Sequence, residues 1–180
     1  MRGLGLASVG KGDAAAPLRP TSDRVRESIF NLLQNGGYGD PVDGARVLDL
    51  FAGTGALGLE ALSRGAEACV FVDSGRAAGR LLAENIARAR VSDAVRVIAR
   101  DAQRLGANSG EMATLVFLDP PYGKGLGARA LEAVVEGGWM EKGALIVWEE
   151  ASEQDAPEGF TKLDARRYGE TWVTILEFDG

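Results

Sequence analysis

Four short segments hold the residue types that could do chemistry. The first is Asp49-Leu50-Phe51-Ala52-Gly53-Thr54-Gly55-Ala56-Leu57-Gly58, in which Gly53, Gly55 and Gly58 fit the spacing G-x-G-x-x-G. Glycines at that spacing allow a tight turn and close approach of a ligand to the backbone. The free N–H groups of a helix opening just beyond them suit an anionic group. Such turns also occur for packing alone, but their place between a strand pattern and a helix pattern favours a ligand loop. The second is Asp73, twenty residues beyond Gly53, where a carboxylate can accept hydrogen bonds from both hydroxyls of a ribose. Together these two imply a cofactor that bears a nucleoside. The third is Asp101, placed to accept from an adenine amino group or, equally well, to cap a following turn. The fourth is Leu118-Asp119-Pro120-Pro121-Tyr122-Gly123. Its two prolines fix φ at successive positions and hold Asp119 and the neighbouring carbonyls in one extended geometry. Such a segment can simply turn the chain; its position after a strand points instead to an active site.

What is missing narrows the chemistry further. The chain has no histidine, which excludes Ser-His-Asp and Cys-His catalysis, histidine metal sites and imidazole switching. Its one cysteine, Cys69, excludes an internal disulfide and any CxxC motif, and its apolar neighbours read as core. Chemistry therefore falls to carboxylates, backbone groups, aromatics, arginines or a bound cofactor, and no metal is expected.

The elements that must position these residues follow from periodicity. Thr21, Ser22 and Asp23 are good N-caps for a helix that runs through Val25, Ile29, Leu32 and Leu33 and ends at Asn35-Gly36-Gly37. Strands are predicted over Arg46–Phe51, Ala68–Val72, Val95–Ile98, Thr114–Leu118 and Ala144–Trp148. Helices are predicted over Ala56–Arg64, Arg76–Arg90 and Ala128–Glu136, and two further strands meet near Tyr168-Gly169-Glu170. Alternation of this kind makes an α/β fold of right-handed βαβ units, a mostly parallel sheet with helices on both faces and ligands beyond the strands' carboxyl ends. The 180 residues suit a single domain, with residues 1–20 as a short N-terminal extension. A net charge of −6 argues mildly against tight binding to naked nucleic acid by charge alone. No apolar run is long enough for a membrane helix and no signal-peptide pattern is seen, so a cytoplasmic location is expected.

Asp119-Pro120-Pro121-Tyr122 resembles the (Asp/Asn/Ser)-Pro-Pro-(Tyr/Phe) motif of S-adenosylmethionine-dependent methyltransferases that act on exocyclic amino groups. The segments Arg19–Asn31 and Val47–Ala66 are similar to those of the RsmD-type enzymes, which methylate the N2 amino group of a guanine in bacterial 16S ribosomal RNA. This resemblance implies a Rossmann-like class I methyltransferase fold with a seven-stranded sheet, S-adenosyl-L-methionine as cofactor, and 16S rRNA in the small ribosomal subunit or an assembly intermediate as partner. The region before Arg19 departs from the family's longer basic start, with Arg2 and Lys11 as its basic residues.

On this reading Asp119 and a carbonyl of the Pro120-Pro121 turn accept the two N–H groups of the target amine, and Tyr122 stacks on the unstacked base. The cofactor's amino-acid portion lies against Gly53 and Gly55. Asp49 sits near its ammonium group or, with equal weight, anchors the loop by accepting backbone hydrogen bonds. Asp73 takes the ribose and Asp101 the adenine, and Phe51 and Ala102 complete the candidate cofactor contacts. Arg19, Arg24 and Arg26 form the densest basic cluster, either an RNA-phosphate patch or a solvated helix face. The rival readings are an amino-methyltransferase of DNA, which usually carries a separate target-recognition region, and a nicotinamide-dependent oxidoreductase, which leaves the diproline segment unexplained.

Overall fold

The computed structural model describes residues 22–180. The N-terminal extension, Arg19 and the candidate cap Thr21 lie outside them. Ser22 opens helix α1 (Asp23–Asn35), its hydroxyl accepting the N–H of Val25 at 3.2 Å, and Gly36 closes it by donating to Leu32 O at 2.8 Å. Apolar spacing along α1 gives it one buried stripe, Ile29, Phe30, Leu32 and Leu33.

The chain then alternates through β1 (Arg46–Leu50), α2 (Ala56–Ser63), β2 (Ala68–Val72), α3 (Arg76–Ala89), β3 (Val95–Ile98), β4 (Ala113–Leu118), α4 (Leu126–Gly137) and β5 (Met140–Glu150). It finishes with the hairpin β6 (Phe160–Tyr168) and β7 (Thr171–Phe178). The seven strands form one sheet in the order β3-β2-β1-β4-β5-β7-β6. β1 to β5 pair in parallel, and β7 runs antiparallel between β5 and β6. After β3 the chain crosses back to place β4 on the other side of β1. The topological switch therefore falls between β1 and β4, where an open α/β sheet leaves a crevice at its carboxyl edge.

Side-chain alternation splits the interior into two layers. Val47, Phe71, Phe117 and Val147 face α1, α2 and α3, with Phe30 tilted against Phe117 at 5.6 Å between ring centres. Leu48, Leu50, Val72, Val116, Leu118 and Ile146 face the opposite way, onto Ala130, Leu131 and Val134 of α4. Helices thus cover both faces, and the central strand β4 and the Ala144–Trp148 stretch of β5 read as nearly continuous apolar runs.

One boundary departs from expectation in a way that matters below. β5 extends past Trp148 through Glu149 and Glu150, which pair with Val173 and Trp172 of β7 and are 3% and 7% exposed. Backbone pairing to the antiparallel neighbour carries the strand on where its apolar pattern stops.

Candidate active site

The glycine turn between β1 and α2 is braced by side chains from three elements. Asp49, 1% exposed, lies beneath it and accepts the Gly58 N–H on Oδ2 at 3.0 Å. Asp73, just past β2, accepts the Gly53 N–H on Oδ2 (2.9 Å) and the Gly75 N–H on Oδ1 (2.8 Å). Asn85, buried in α3, donates to Thr54 O at 2.9 Å. Phe51 has φ +56°, a left-handed conformation that costs a non-glycine residue energy and persists here because its surroundings impose it.

The motif's glycines serve different ends. Gly55 takes φ +84° as the cap of α2, and a Cβ there would lie 2.5 Å from Leu82 Cδ1. A Cβ on Gly58 would lie 2.4 Å from Phe71 Cε1 and 2.6 Å from Cys69 Sγ, so the absent side chain lets α2 lie flat on the sheet.

Because β2, β1 and β4 end in register while β5 runs on beside them, four carboxylates gather at this edge of the sheet. Leu50 pairs with both Val72 and Leu118, and Leu118 pairs with Trp148. Asp73 therefore follows β2, Asp49 lies near the end of β1, Asp119 follows β4 and Glu149 lies near the end of β5. Burial pushes the Asp49 carboxyl well above the usual carboxylate range, the Gly58 N–H opposes this, and the charges of Asp119 and Asp73 add to the rise.

This has a measurable consequence. A raised native pKa means the folded state holds the Asp49 proton more tightly than the unfolded chain. The resulting stabilisation is complete below about pH 4, the unfolded value, and is lost as pH climbs through the raised native value. Asp49→Asn keeps an oxygen for Gly58 and abolishes the titration. The difference in urea midpoint between wild type and variant should therefore shift against the wild type from pH 4 to pH 8. A difference that stays flat contradicts the assignment.

The diproline corner is tied at its far end. Pro120 is buried, Pro121 exposed and Tyr122 half-buried, its hydroxyl paired with Thr171 Oγ1 at 3.1 Å. Glu150 Oε1 accepts the Gly123 N–H at 3.1 Å and the Ala151 N–H at 3.4 Å, clamping the exit of the corner to the end of β5. Sequence reasoning missed Glu150, Glu149 and Asn85. Their signal is polarity out of place: two carboxylates continuing an apolar strand, and an amide on the Leu82–Ile86–Ala89 stripe. If Glu150 positions the corner, Glu150→Ala lowers kcat about 10-fold with KM little changed, since small misplacements of reacting groups are costly. Glu150→Gln, which retains the accepting oxygen, restores most of it. Equal rates in both variants and wild type count against that role.

The remaining candidates lie further out. Asp101 Oδ1 accepts the Gln103 N–H at 2.9 Å and caps the 3-10 turn Ala102–Arg104, leaving the carboxylate half-exposed at the end of β3. Ala102 is 3% exposed, in the same core layer as Ile98 and Leu105. Arg26 pairs with Asp23 at 2.9 Å, and Arg24 borders a polar groove with Glu27, Ser28, Asn31 and Arg64. Among the described residues no group of three or more carboxylates and thiols is arranged to hold a metal. Nor is any helix among them long and apolar enough to cross a membrane.

A mostly parallel seven-stranded sheet with this strand order, a glycine turn after β1 and the switch point beside it define the Rossmann-like class I methyltransferase fold. Residues 8–177 match the family described as Conserved hypothetical protein 95, and the chain belongs to that family, the RsmD family. It is similar to "Ribosomal RNA small subunit methyltransferase D" of Escherichia coli K12, 39% identical over 78% of this chain and 68% of that protein. It is also similar to "Putative rRNA methyltransferase YlbH" of Bacillus subtilis, 38% identical over 94% of this chain and 93% of that one. Among solved structures it resembles "Putative methyltransferase yhhF" from Escherichia coli. There the TM-score is 0.77 at 34% identity, over 91% of this chain and 89% of the other.

Proposed function

We propose that the chain transfers a methyl group from S-adenosylmethionine to the N2 amino group of a guanine in 16S rRNA, presented by the small ribosomal subunit or an assembly intermediate. The observation that carries this reading is the position of Asp119. It stands with its diproline corner one strand from the glycine turn, close enough for its charge to raise the pKa of Asp49. The relatives named as ribosomal RNA methyltransferases support ribosomal RNA as the substrate class, and work on ribosomal RNA fits a cytoplasmic enzyme.

Charge tests the fit of the cofactor. S-adenosylmethionine brings a sulfonium and an ammonium against a single carboxylate, and Asp49, Asp73 and Asp119 make a site that suits a cation. The same carboxylates disfavour a nicotinamide dinucleotide, whose pyrophosphate carries two negative charges. The N–H groups of Gly53 and Gly58, which a dinucleotide's phosphates would need, are already given to Asp73 and Asp49. Asp73 and Asp101 keep lone pairs for ribose hydroxyls and an adenine amino group beyond the backbone donors they accept.

When bound, the cofactor supplies an electrophilic methyl group without a metal. The protein must make a poor nucleophile competent, because the lone pair of a guanine amino nitrogen is delocalised into the ring. Asp119 accepts one N–H in a charge-assisted bond and a carbonyl of the Pro120-Pro121 turn accepts the other, which localises the lone pair and orients it. Asp119, or water, takes the proton released. Tyr122 stacks on the base, steadied at its hydroxyl by Thr171. Arg24 and Arg26, with Arg19, contact phosphates.

The test is tritiated methyl transfer from S-adenosylmethionine to unmodified small subunits, followed by digestion to nucleosides. Label in N2-methylguanosine is the expected result. Label in a methylated adenosine or cytidine, or none, overturns the reading.

A further inference from the structure

Glu149 is a buried carboxylate at the active-site edge that the mechanism above does not use. Leu118, the last residue of β4, pairs in register with Trp148 of β5, so Asp119 and Glu149 each follow directly on a residue of that pair. Alternation along β5 puts Glu149 on the face of Val147, and the charge of Asp119 reaches Asp49, whose register partner is Phe117 of the same layer. Glu149 is 3% exposed and is held on its other side by pairing with Val173 of β7. Its neighbour Glu150 clamps the diproline corner, so the end of β5 is fixed relative to Asp119.

The fold assigns the two sides of Asp119 to different ligands. On the β1–β2–β3 side lie the glycine turn, Asp73 and Asp101, the residues suited to a nucleoside cofactor. The base to be methylated then lies toward β5, which is where Glu149 stands. Resting on the proposed function, we infer that Glu149 is a specificity-determining residue that accepts the N1–H of the target guanine while Asp119 accepts from its N2 amino group.

The chemistry of the bases makes this selective. Adenine N6 and cytosine N4 are amino groups beside a ring nitrogen that only accepts hydrogen bonds. Guanine alone sets a ring N–H donor beside its amino group. Adjacent carboxylates therefore match guanine at both positions. Against adenine or cytosine the second carboxylate meets a lone pair, and such mispairing in a dry site is strongly rejected. Whatever contacts Glu149 makes within the protein, a carboxylate has several lone-pair directions and can accept a further donor.

The experiment uses 2-aminopurine, which keeps the 2-amino group but has an unprotonated N1. Small subunits are reconstituted with rRNA carrying guanine or 2-aminopurine at the methylated position, mapped beforehand with the wild-type protein. Wild type is expected to prefer guanine by at least about 100-fold, the scale on which a hydrogen-bonding site rejects an analogue lacking the group. Glu149→Gln, whose amide can donate to an unprotonated N1, is expected to slow on guanine, speed up on 2-aminopurine and narrow the preference to below about 10-fold. A wild-type ratio near one overturns the inference whether or not the variant folds. So does a variant that loses both rates equally, because a merely structural Glu149 would leave the ratio alone. Absence of guanine N2 methylation by the wild type overturns the proposed function itself, a failure distinct from an unchanged ratio.

Discussion

The Asp119→Ala variant is expected to lose methyl transfer by about 10³-fold, the scale on which a positioned proton acceptor acts, while its affinity for S-adenosylmethionine stays within about threefold. The asymmetry follows from where the residue stands. Asp119 lies beyond β4, whereas the hydrogen bonds that brace the glycine turn come from Asp49, Asp73 and Asn85. Removing the carboxylate strips the amine of its charged acceptor without disturbing those braces. It also removes one of the charges that raise the Asp49 pKa, so the turn should be slightly more stable at neutral pH. Single-turnover transfer and calorimetry separate the two effects. Asp119→Asn, which retains an acceptor but no charge, should fall between Ala and wild type. Unchanged turnover in the Ala variant would mean that the corner does not act on the amine.

Gly58→Ala should be the most damaging single methyl group that the glycine turn can receive. The added Cβ would sit 2.4 Å from Phe71 Cε1, 2.6 Å from Cys69 Sγ and 3.0 Å from Asp49 Oδ2. Phe71 and Cys69 are buried in the first core layer, so relief requires α2 to lift. Lifting α2 stretches the bond that Gly58 gives to Asp49. Overpacking together with a weakened buried hydrogen bond should cost about 4 kcal/mol, a large part of the roughly 5–15 kcal/mol that holds a domain of this size folded. Gly79 is the control. It lies within α3 with open space where its Cβ would be, so Gly79→Ala should gain about 0.5–1 kcal/mol from helix propensity. Denaturant midpoints of the two variants decide the matter, and similar midpoints contradict the packing role.

Much of the frame was legible because local rules and tertiary demands agree. Ser22 and Gly36 bound α1 by capping chemistry, and the run Ala68–Val72 is bounded by turn residues at both ends. The glycine turn and diproline corner announced themselves by rare spacing. What was hidden depends on partners distant in sequence. Nothing in Glu149-Glu150 says that β7 will extend the strand there, since the signal lies in Trp172 and Val173. Nothing in the last two strands says that β7, not β6, joins β5. Phe51 could be named from the motif, but its left-handed backbone is visible only in three dimensions. Asp73 was legible as a carboxylate in the right place. That it also fastens the turn through Gly53 was not, because a hydrogen bond across 20 residues leaves no periodic trace.

The thiol of Cys69 gives the molecule a native reporter. It is the single cysteine in the sequence, it is 1% exposed, and burial with the nearby Asp49 charge pushes its pKa well up. Alkylating reagents attack the thiolate, so the folded chain should be almost inert to maleimide or iodoacetamide. Modification must wait for β2 to part from α2. Where reclosing outruns labelling, the alkylation rate measures how often the glycine turn opens, and its slowing with added cofactor measures how far the ligand locks that region shut.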